Sequence, residues 1–159
     1  MSTPTRYDNT VGLELKAYQQ FFFLLFSYPH PKVFVTAEKM KTVLLVEDSL
    51  TDRNIMASYL QQAGLLVVSA SSVEEAQEKL SHNKPDLIVL DVILPGQSGF
   101  EMCRTLKTNP ETRKIPVIIC STKGTDVDKI WGNMLGADAY LIKPVNDAEL
   151  QVTLKQCLG

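Results

Sequence analysis

The sequence predicts an α/β domain of three layers: a doubly wound parallel sheet of five strands with helices on both faces. Two observations predict it. The first is the stretch Pro85 to Gly99, PDLIVLDVILPGQSG, in which an apolar run from Leu87 to Leu90 leads into one carboxylate, Asp91. An unbroken apolar run of that length, started by Pro-Asp and stopped by Pro95-Gly96, reads as a strand buried on both faces, which belongs in the middle of a parallel sheet. The second is a regular alternation from Met40 onward, in which five apolar runs are each followed by a stretch with helix caps. Alternation of this kind implies parallel strands joined by right-handed crossovers. Asp91 then stands at the carboxyl end of a central strand, where open α/β sheets place their ligands.

The elements follow in order. Thr42 to Val46 is a short apolar strand ending in Glu47-Asp48. Ser49 to Gly64 is a helix, with Ser49 and Asp52 in the S-x-x-D pattern of a capping box, Ile55, Met56, Tyr59, Leu60 and Ala63 as its apolar face, and Gly64 as its stop. Leu65 to Ala70 is the second strand, and Ser72 to Glu75 caps a helix reaching about Leu80, followed by a loop to Lys84. After the Asp91 strand, Phe100 to Lys107 is a helix with Phe100, Cys103 and Leu106 on its apolar side, ended by Asn109-Pro110. Ile115 to Cys120 is the fourth strand, and Thr125 to Asp128 caps a helix that ends near Gly136. Ala139 to Ile142 is the fifth strand, and Asn146 to Glu149 caps the last helix.

Residues 1–39 do not share this pattern. Val11 to Tyr28 has the makings of a short helix, with an aromatic-aliphatic block from Phe21 to Phe26 that falls far below the roughly 20 apolar residues needed to span a bilayer. It lacks a strong basic start and a cleavage site, so it is a poor signal peptide. The segment is an accessory arm or a weakly structured extension. Met40 directly precedes the first strand and is a candidate start, with residues 40–159 as the folded domain.

Composition narrows the function classes. The chain has 159 residues and a formal net charge of −2, enough for one substantial core and without the basic stripe of a nucleic-acid binder. The cysteines Cys103, Cys120 and Cys157 are widely spaced and show no zinc pattern, as expected for reduced thiols in a cytoplasmic protein. The histidines His30 and His82 lie apart and read as surface residues.

Listing what the strand ends deliver locates the chemistry. The first strand delivers Glu47 and Asp48, the third Asp91, the fourth Ser121 and Thr122, and the fifth Lys143. Crowded carboxylates repel and take up protons unless cations offset them. Lys143 offsets one charge, and a hard divalent cation offsets the others. Mg2+ suits such a rim because it binds through one or two carboxylates, keeps several waters and shares a substrate phosphate. Asp48 and Asp91 are the expected direct ligands, the Ile93 backbone carbonyl a third, and Glu47 a partner through water. With a phosphoryl donor present, an aspartate carboxylate is a nucleophile, and Lys143 and the Ser121 hydroxyl hold phosphoryl oxygens. Any one of these residues alone is a surface acid or a solvated lysine; together, at four strand ends, they make a site.

Glu47-Asp48 after VLLV, Asp91 in LIVLDVILPGQSG, Ser121 after IPVIIC and Lys143-Pro144 after GADAYLI resemble the receiver domain of two-component response regulators. The resemblance covers Lys41 to about Leu158, and the segment from Ser121 to Val145 is most similar to stand-alone receivers of chemotaxis and pilus motility systems. It implies a flavodoxin-like sheet of strand order 2-1-3-4-5. It implies that Asp91 accepts a phosphoryl group from a histidine kinase with Mg2+ bound by Asp48, Asp91 and the Ile93 carbonyl, with Glu47 in support. It further implies Ser121 as the switch hydroxyl, Tyr140 as the switch aromatic, Lys143 as the phosphate-contacting lysine, and a cis Lys143–Pro144 peptide. Thr122 departs from the small residue common there. With no effector domain expected after the last helix, the output is a protein contact through the face of the fourth helix, fifth strand and fifth helix, where Trp131 is either a contact or a packing residue. Ile93 and Lys123 flank the approach of a hydrolytic water, so self-dephosphorylation is expected to be slow and the domain is not an enzyme in the ordinary sense.

Other readings compete. A flavodoxin-like carrier needs a hydroxyl- and glycine-rich loop after the first strand, where this chain has Glu47-Asp48. An aspartate-based phosphatase wants a second acid two positions past its nucleophile, where this chain has Ile93. A pseudo-receiver that binds a partner without being phosphorylated stays open.

Overall fold

The structure is a computed structural model that describes residues 39–159, and within it Lys39–Gly159 form one compact unit. The expectations for the amino-terminal extension, as far as Glu38, lie outside the described residues. The elements are β1 (Thr42–Val46), α1 (Leu50–Gln62), β2 (Leu66–Ala70), α2 (Val73–His82), β3 (Leu87–Leu90), α3 (Gly99–Thr108), β4 (Val117–Ser121), α4 (Asp126–Met134), β5 (Ala139–Ile142) and α5 (Asp147–Leu158). The strands form one parallel sheet in the order β2-β1-β3-β4-β5, as the resemblance implies.

Side chains alternate across a strand, so each central strand feeds two cores. Leu44, Val46, Ile88, Leu90, Val117 and Ile119 are buried in a core shared with Val73 and Ala76 of α2 and Met102, Cys103 and Leu106 of α3. Val43, Leu45, Leu87, Val89, Ile118, Cys120 and Leu141 face the other way, into a core shared with Met56 and Leu60 of α1 and Leu150 and Leu154 of α5. Continuing the second series by two residues gives Glu47, Asp91 and Lys143. The alternation that builds the α1/α5 core therefore carries all three polar residues to the same side of the rim. The register agrees, because Val46 is paired with Leu90, one step before Glu47 and Asp91.

Several boundaries differ from the sequence reading, each for a local reason. The α2 helix runs on to His82, because the Ser81 hydroxyl donates to the Glu78 carbonyl at 2.6 Å and Asn83 N–H to the Lys79 carbonyl at 3.0 Å. The β4 strand starts at Val117 because Pro116 has no N–H to place in the ladder, and it extends to Ser121, whose carbonyl accepts from Lys143 N–H at 3.0 Å. Ile55, expected on the apolar face of α1, is 49% exposed, while Met102 joins the buried side of α3. Trp131 is 55% exposed, which excludes the packing role weighed for it. The two ends of the folded unit meet: Lys41 Nζ donates to the Leu158 carbonyl at 2.5 Å, joining the start of β1 to the end of α5.

The helix caps show where side chains are diverted. Thr125 and Asp128 close a full capping box, with Asp128 N–H donating to Thr125 Oγ1 at 3.2 Å and Thr125 N–H to Asp128 Oδ2 at 3.1 Å. The Thr125 hydroxyl also donates to Asp128 Oδ2 at 2.6 Å, and that bond, with the one from Thr125 N–H behind it, holds the Asp128 carboxyl below the usual carboxylate range. Ser49 and Asp52 form only half of one. Asp52 N–H donates to Ser49 Oγ at 3.3 Å, but Ser49 N–H turns to Glu47 Oε1 at 3.1 Å. The capping box expected at Ser49 is corrected accordingly: the Asp52 carboxylate goes elsewhere.

Candidate functional site

Lys143 follows β5 and sends its ammonium into the rim between β1, β3 and α1. Its Nζ donates to Asp91 Oδ2 at 2.7 Å, to Asp52 Oδ2 at 3.2 Å and to Glu47 Oε2. Glu47 and Asp91 are buried, and their other oxygens are also bonded: Glu47 Oε1 takes Ser49 N–H, and Asp91 Oδ1 takes Ile93 N–H at 2.9 Å. The Glu47 carbonyl accepts from Arg53 Nη1 at 2.8 Å, which fixes the strand end against α1. Three carboxylates thus share one ammonium, and no other cation is ion-paired to them among the described residues.

The charge imbalance is visible in the acidities. Burial pushes the Glu47 carboxyl up, and the Lys143 ammonium, divided among three partners, offsets that only in part. Burial alone would pull the Lys143 ammonium down, but its hydrogen bonds to Asp91 and Glu47 outweigh burial and hold it above the ordinary lysine range. Beside the ammonium a cavity of about 200 Å³ opens between α1 and the Pro144–Val145 segment, walled by Ile55, Met56, Tyr59 and Val145. Cys120 lines its floor, and burial pushes that thiol up to about 12, so it stays an unreactive thiol.

The remaining expected residues sit around this centre. Ser121 ends β4 fully buried, and its Oγ accepts from Lys123 N–H at 3.5 Å. Asp48, Thr122 and Lys123 are exposed. Ile93, whose backbone N–H bonds Asp91 Oδ1, is 47% exposed. Tyr140 lies on the far side of β4, half-buried, and its Oη donates to the Lys123 carbonyl at 2.6 Å. Burial pushes that phenol up to about 12. The Lys143–Pro144 peptide is cis, in agreement with the resemblance.

Four residues were not placed in the site from the sequence: Asp52, read there only as a cap, and Arg53, Gly99 and Gly132. A Cβ on Gly99 would stand 2.0 Å from the Asp91 carbonyl oxygen, so only glycine lets α3 begin against the strand end. A Cβ on Gly132 would stand 2.8 Å from Cδ2 of Tyr140, so this glycine makes room for the ring. The sequence held a signal for Gly99, since a Gly two residues past Pro-Gly-Gln has no turn of its own to serve.

The profile of the response regulator receiver domain matches residues 43–155. The chain belongs to the response regulator receiver family. Among its relatives, PilH of Pseudomonas aeruginosa is 36% identical over 120 residues, which cover 76% of this chain and 99% of PilH. The phosphate regulon transcriptional regulatory protein PhoB of the same species is 41% identical over 118 residues, 74% of this chain and 52% of PhoB. The chain thus spans about half the length of PhoB and of several other regulators it matches, and nearly all of PilH. In structure, this receiver is similar to the receiver domain of sensor histidine kinase PA1611 from Pseudomonas aeruginosa, with a TM-score of 0.69, 26% identity and coverage of 76% and 98% of the two chains. That receiver has a magnesium ion coordinated in its active site cleft.

A resident Mg2+ fits the rim of this receiver by donor chemistry. Among the described residues no three acidic, imidazole or thiol side chains converge into a closed cage. Mg2+ does not need one, because it keeps waters and takes only one or two carboxylates. The donors here are all oxygen, and one ammonium leaves the three carboxylates with excess negative charge. Among the described residues no helix is long and apolar enough to cross a membrane.

Proposed function

We propose that Asp91 is the phosphoacceptor of a two-component phosphorelay. The observation that carries this is the Lys143–Asp91 contact at 2.7 Å on a buried carboxylate at the carboxyl end of the central strand. In the transfer, an Asp91 carboxylate oxygen forms a bond to phosphorus as the bond from phosphorus to a histidine-kinase imidazole nitrogen breaks. The electron pair of that bond stays on the imidazole. Lys143 and the Ser121 hydroxyl are the protein donors for the phosphoryl oxygens. Asp48, Asp91 and the Ile93 carbonyl would hold Mg2+, with Glu47 in support through water, and the bound ion would supply charge neutralisation for the transfer.

The output is a protein contact on the face of α4, β5 and α5. There Val127, Ile130, Trp131 and Met134 recur at helical spacing and are all more than half exposed, beside the exposed Ile142 of β5. The link from Ser121 to that face runs through the Lys123 loop, which Tyr140 holds by its hydroxyl. Phosphorylation biases this element between two arrangements. The test is incubation with Mg2+ and acetyl phosphate followed by intact-mass measurement. One base-labile phosphate per chain is expected on the wild type and none on Asp91→Ala. An unmodified wild type whose output partner still binds would instead establish a phosphorylation-independent binding module.

A further inference from the structure

An ammonium has three N–H donors, and in Lys143 all three are engaged, by Glu47, Asp91 and Asp52. No donor is free for a phosphoryl oxygen until one partner lets go. The three partners are not equally easy to release. The side chains of Glu47 and Asp91 are 5% and 6% exposed, whereas that of Asp52 is 43% exposed, so water can replace the ammonium only at Asp52. Its bond is also the longest of the three, at 3.2 Å against 2.7 Å to Asp91. A second observation is independent of distance. Asp52 occupies the third position of a Ser-x-x-Asp cap, yet its carboxylate does not close that cap, while the same pattern at Thr125 and Asp128 does. Ser49 N–H, which a closed cap would offer to Asp52, is taken by Glu47 Oε1 at 3.1 Å, so the Asp52 carboxylate has the Lys143 ammonium as its side-chain partner.

Resting on the phosphoacceptor reading, we infer that Asp52 is a positioning residue that acts as the releasable third anchor of Lys143 and as a charge gate against free anionic phosphodonors. In the resting state it holds the ammonium on the α1 side. When a phosphoryl group arrives, an oxygen of that group takes the donor that Asp52 gives up, and Asp52 turns to water. Its negative charge at the open edge of the cavity repels a small anion that approaches by diffusion. A phosphoryl group carried on a docked kinase feels the same charge but is held there by contacts elsewhere.

The experiment compares wild type, Asp52→Asn and Asp52→Glu. With Mg2+ present, the phosphorylation rate is measured with the doubly charged donor acetyl phosphate and the singly charged donor phosphoramidate, at low and high salt. Asp52→Asn is expected to speed acetyl phosphate about two- to five-fold at low salt, the range that a partly exposed ion pair supports. The gain shrinks at high salt and is smaller with phosphoramidate. Asp52→Glu restores the wild-type rate. Equal change with both donors, no salt dependence, or a slower Asp52→Asn overturns the gate. The anchor is read without any transfer, from the NMR resonance of the Lys143 ε-carbon, which is expected to move in Asp52→Asn and to return in Asp52→Glu. An unmoved resonance overturns the anchor. A wild type that takes no phosphoryl group while the resonance moves rejects the phosphoacceptor reading and the gate, and leaves the anchor standing.

Discussion

At the amino-terminal rim of the sheet, Asp86 accepts from Thr42 N–H at 2.7 Å, and Asp138 accepts from Val117 N–H at 2.7 Å and from Lys107 Nζ at 2.6 Å. Each acid there serves a separate strand start, and Lys107 is further held by the Ile115 carbonyl at 2.9 Å. At the carboxyl rim, Glu47, Asp52 and Asp91 crowd around one ammonium. The same residue types are structural fasteners at one end and a strained charge cluster at the other. What differs is the ratio of acids to donors: satisfied acids stabilise, and acids in excess of cations store repulsion that a ligand can relieve.

The largest effect is expected where the carboxyl rim depends on close approach. Gly99→Ala sets a Cβ into the Asp91 backbone and should lower stability by about 3 kcal/mol in urea unfolding, since backbone must move to relieve the clash. A loss below 1 kcal/mol would mean that α3 and the strand end slide freely. Next comes the fastener rim. Asp138→Ala removes the acceptor of the buried Val117 N–H and one partner of Lys107, for a loss of about 1.5 kcal/mol. The decay rate of the phosphorylated protein should stay unchanged, and a changed rate would couple the two rims.

A kinetic change should appear only at the carboxyl rim. The backbone N–H groups of Ile93 and Lys123 bond Asp91 Oδ1 and Ser121 Oγ, which sets an apolar and a cationic residue beside the site, and neither side chain is suited to order an attacking water. Ile93→Asn with Lys123→Glu is expected to speed loss of the phosphoryl group about fivefold, roughly 1 kcal/mol of barrier. The measurement is the decay of phosphorylated protein with Mg2+ present and donor removed, and equal decay in both proteins would reject the idea. The smallest effect is a gain. Because burial raises the folded-state pKa of Glu47, its protonated form suits the fold, and that contribution is present at low pH and lost as pH rises through the folded value. Glu47→Gln imitates the protonated form. It should therefore stabilise the protein by roughly 0.5–1 kcal/mol near pH 7.5, with the advantage vanishing below the ordinary glutamate range. A destabilised Glu47→Gln at pH 7.5 would show that the ion pair with Lys143 outweighs burial.

The sheet was legible because its signals are local. Apolar runs, caps at Ser72, Thr125 and Asn146, and Gly64 and Gly136 with positive φ each act within a few residues. The convergence of Glu47, Asp91 and Lys143 was also legible, because the alternation of strand faces carries it. Asp52 was not. Its sequence neighbourhood offers a complete local explanation as a cap, but Glu47 takes the Ser49 N–H and an ammonium 91 positions away takes the Asp52 carboxylate. Gly132 was hidden for the same reason, since the ring it makes room for belongs to another element. The exposure of Trp131 was undecidable from periodicity, because its neighbours Val127, Ile130 and Met134 would build an apolar face whether covered or bare.

The bond from Lys41 to the Leu158 carbonyl closes a loop of 117 sequence positions. As a polymer, the folded unit is therefore nearly a ring, with its seam where β1 begins, at the end of the parallel strands farthest from Asp91. A linker of a few residues could join that seam, and new ends could be cut at the exposed Asn83–Lys84 turn, giving a rewired chain with the same contacts. Biosensor builders can exploit this: inserting the unit into a fluorescent host through its seam leaves the Asp91 rim open to small donors.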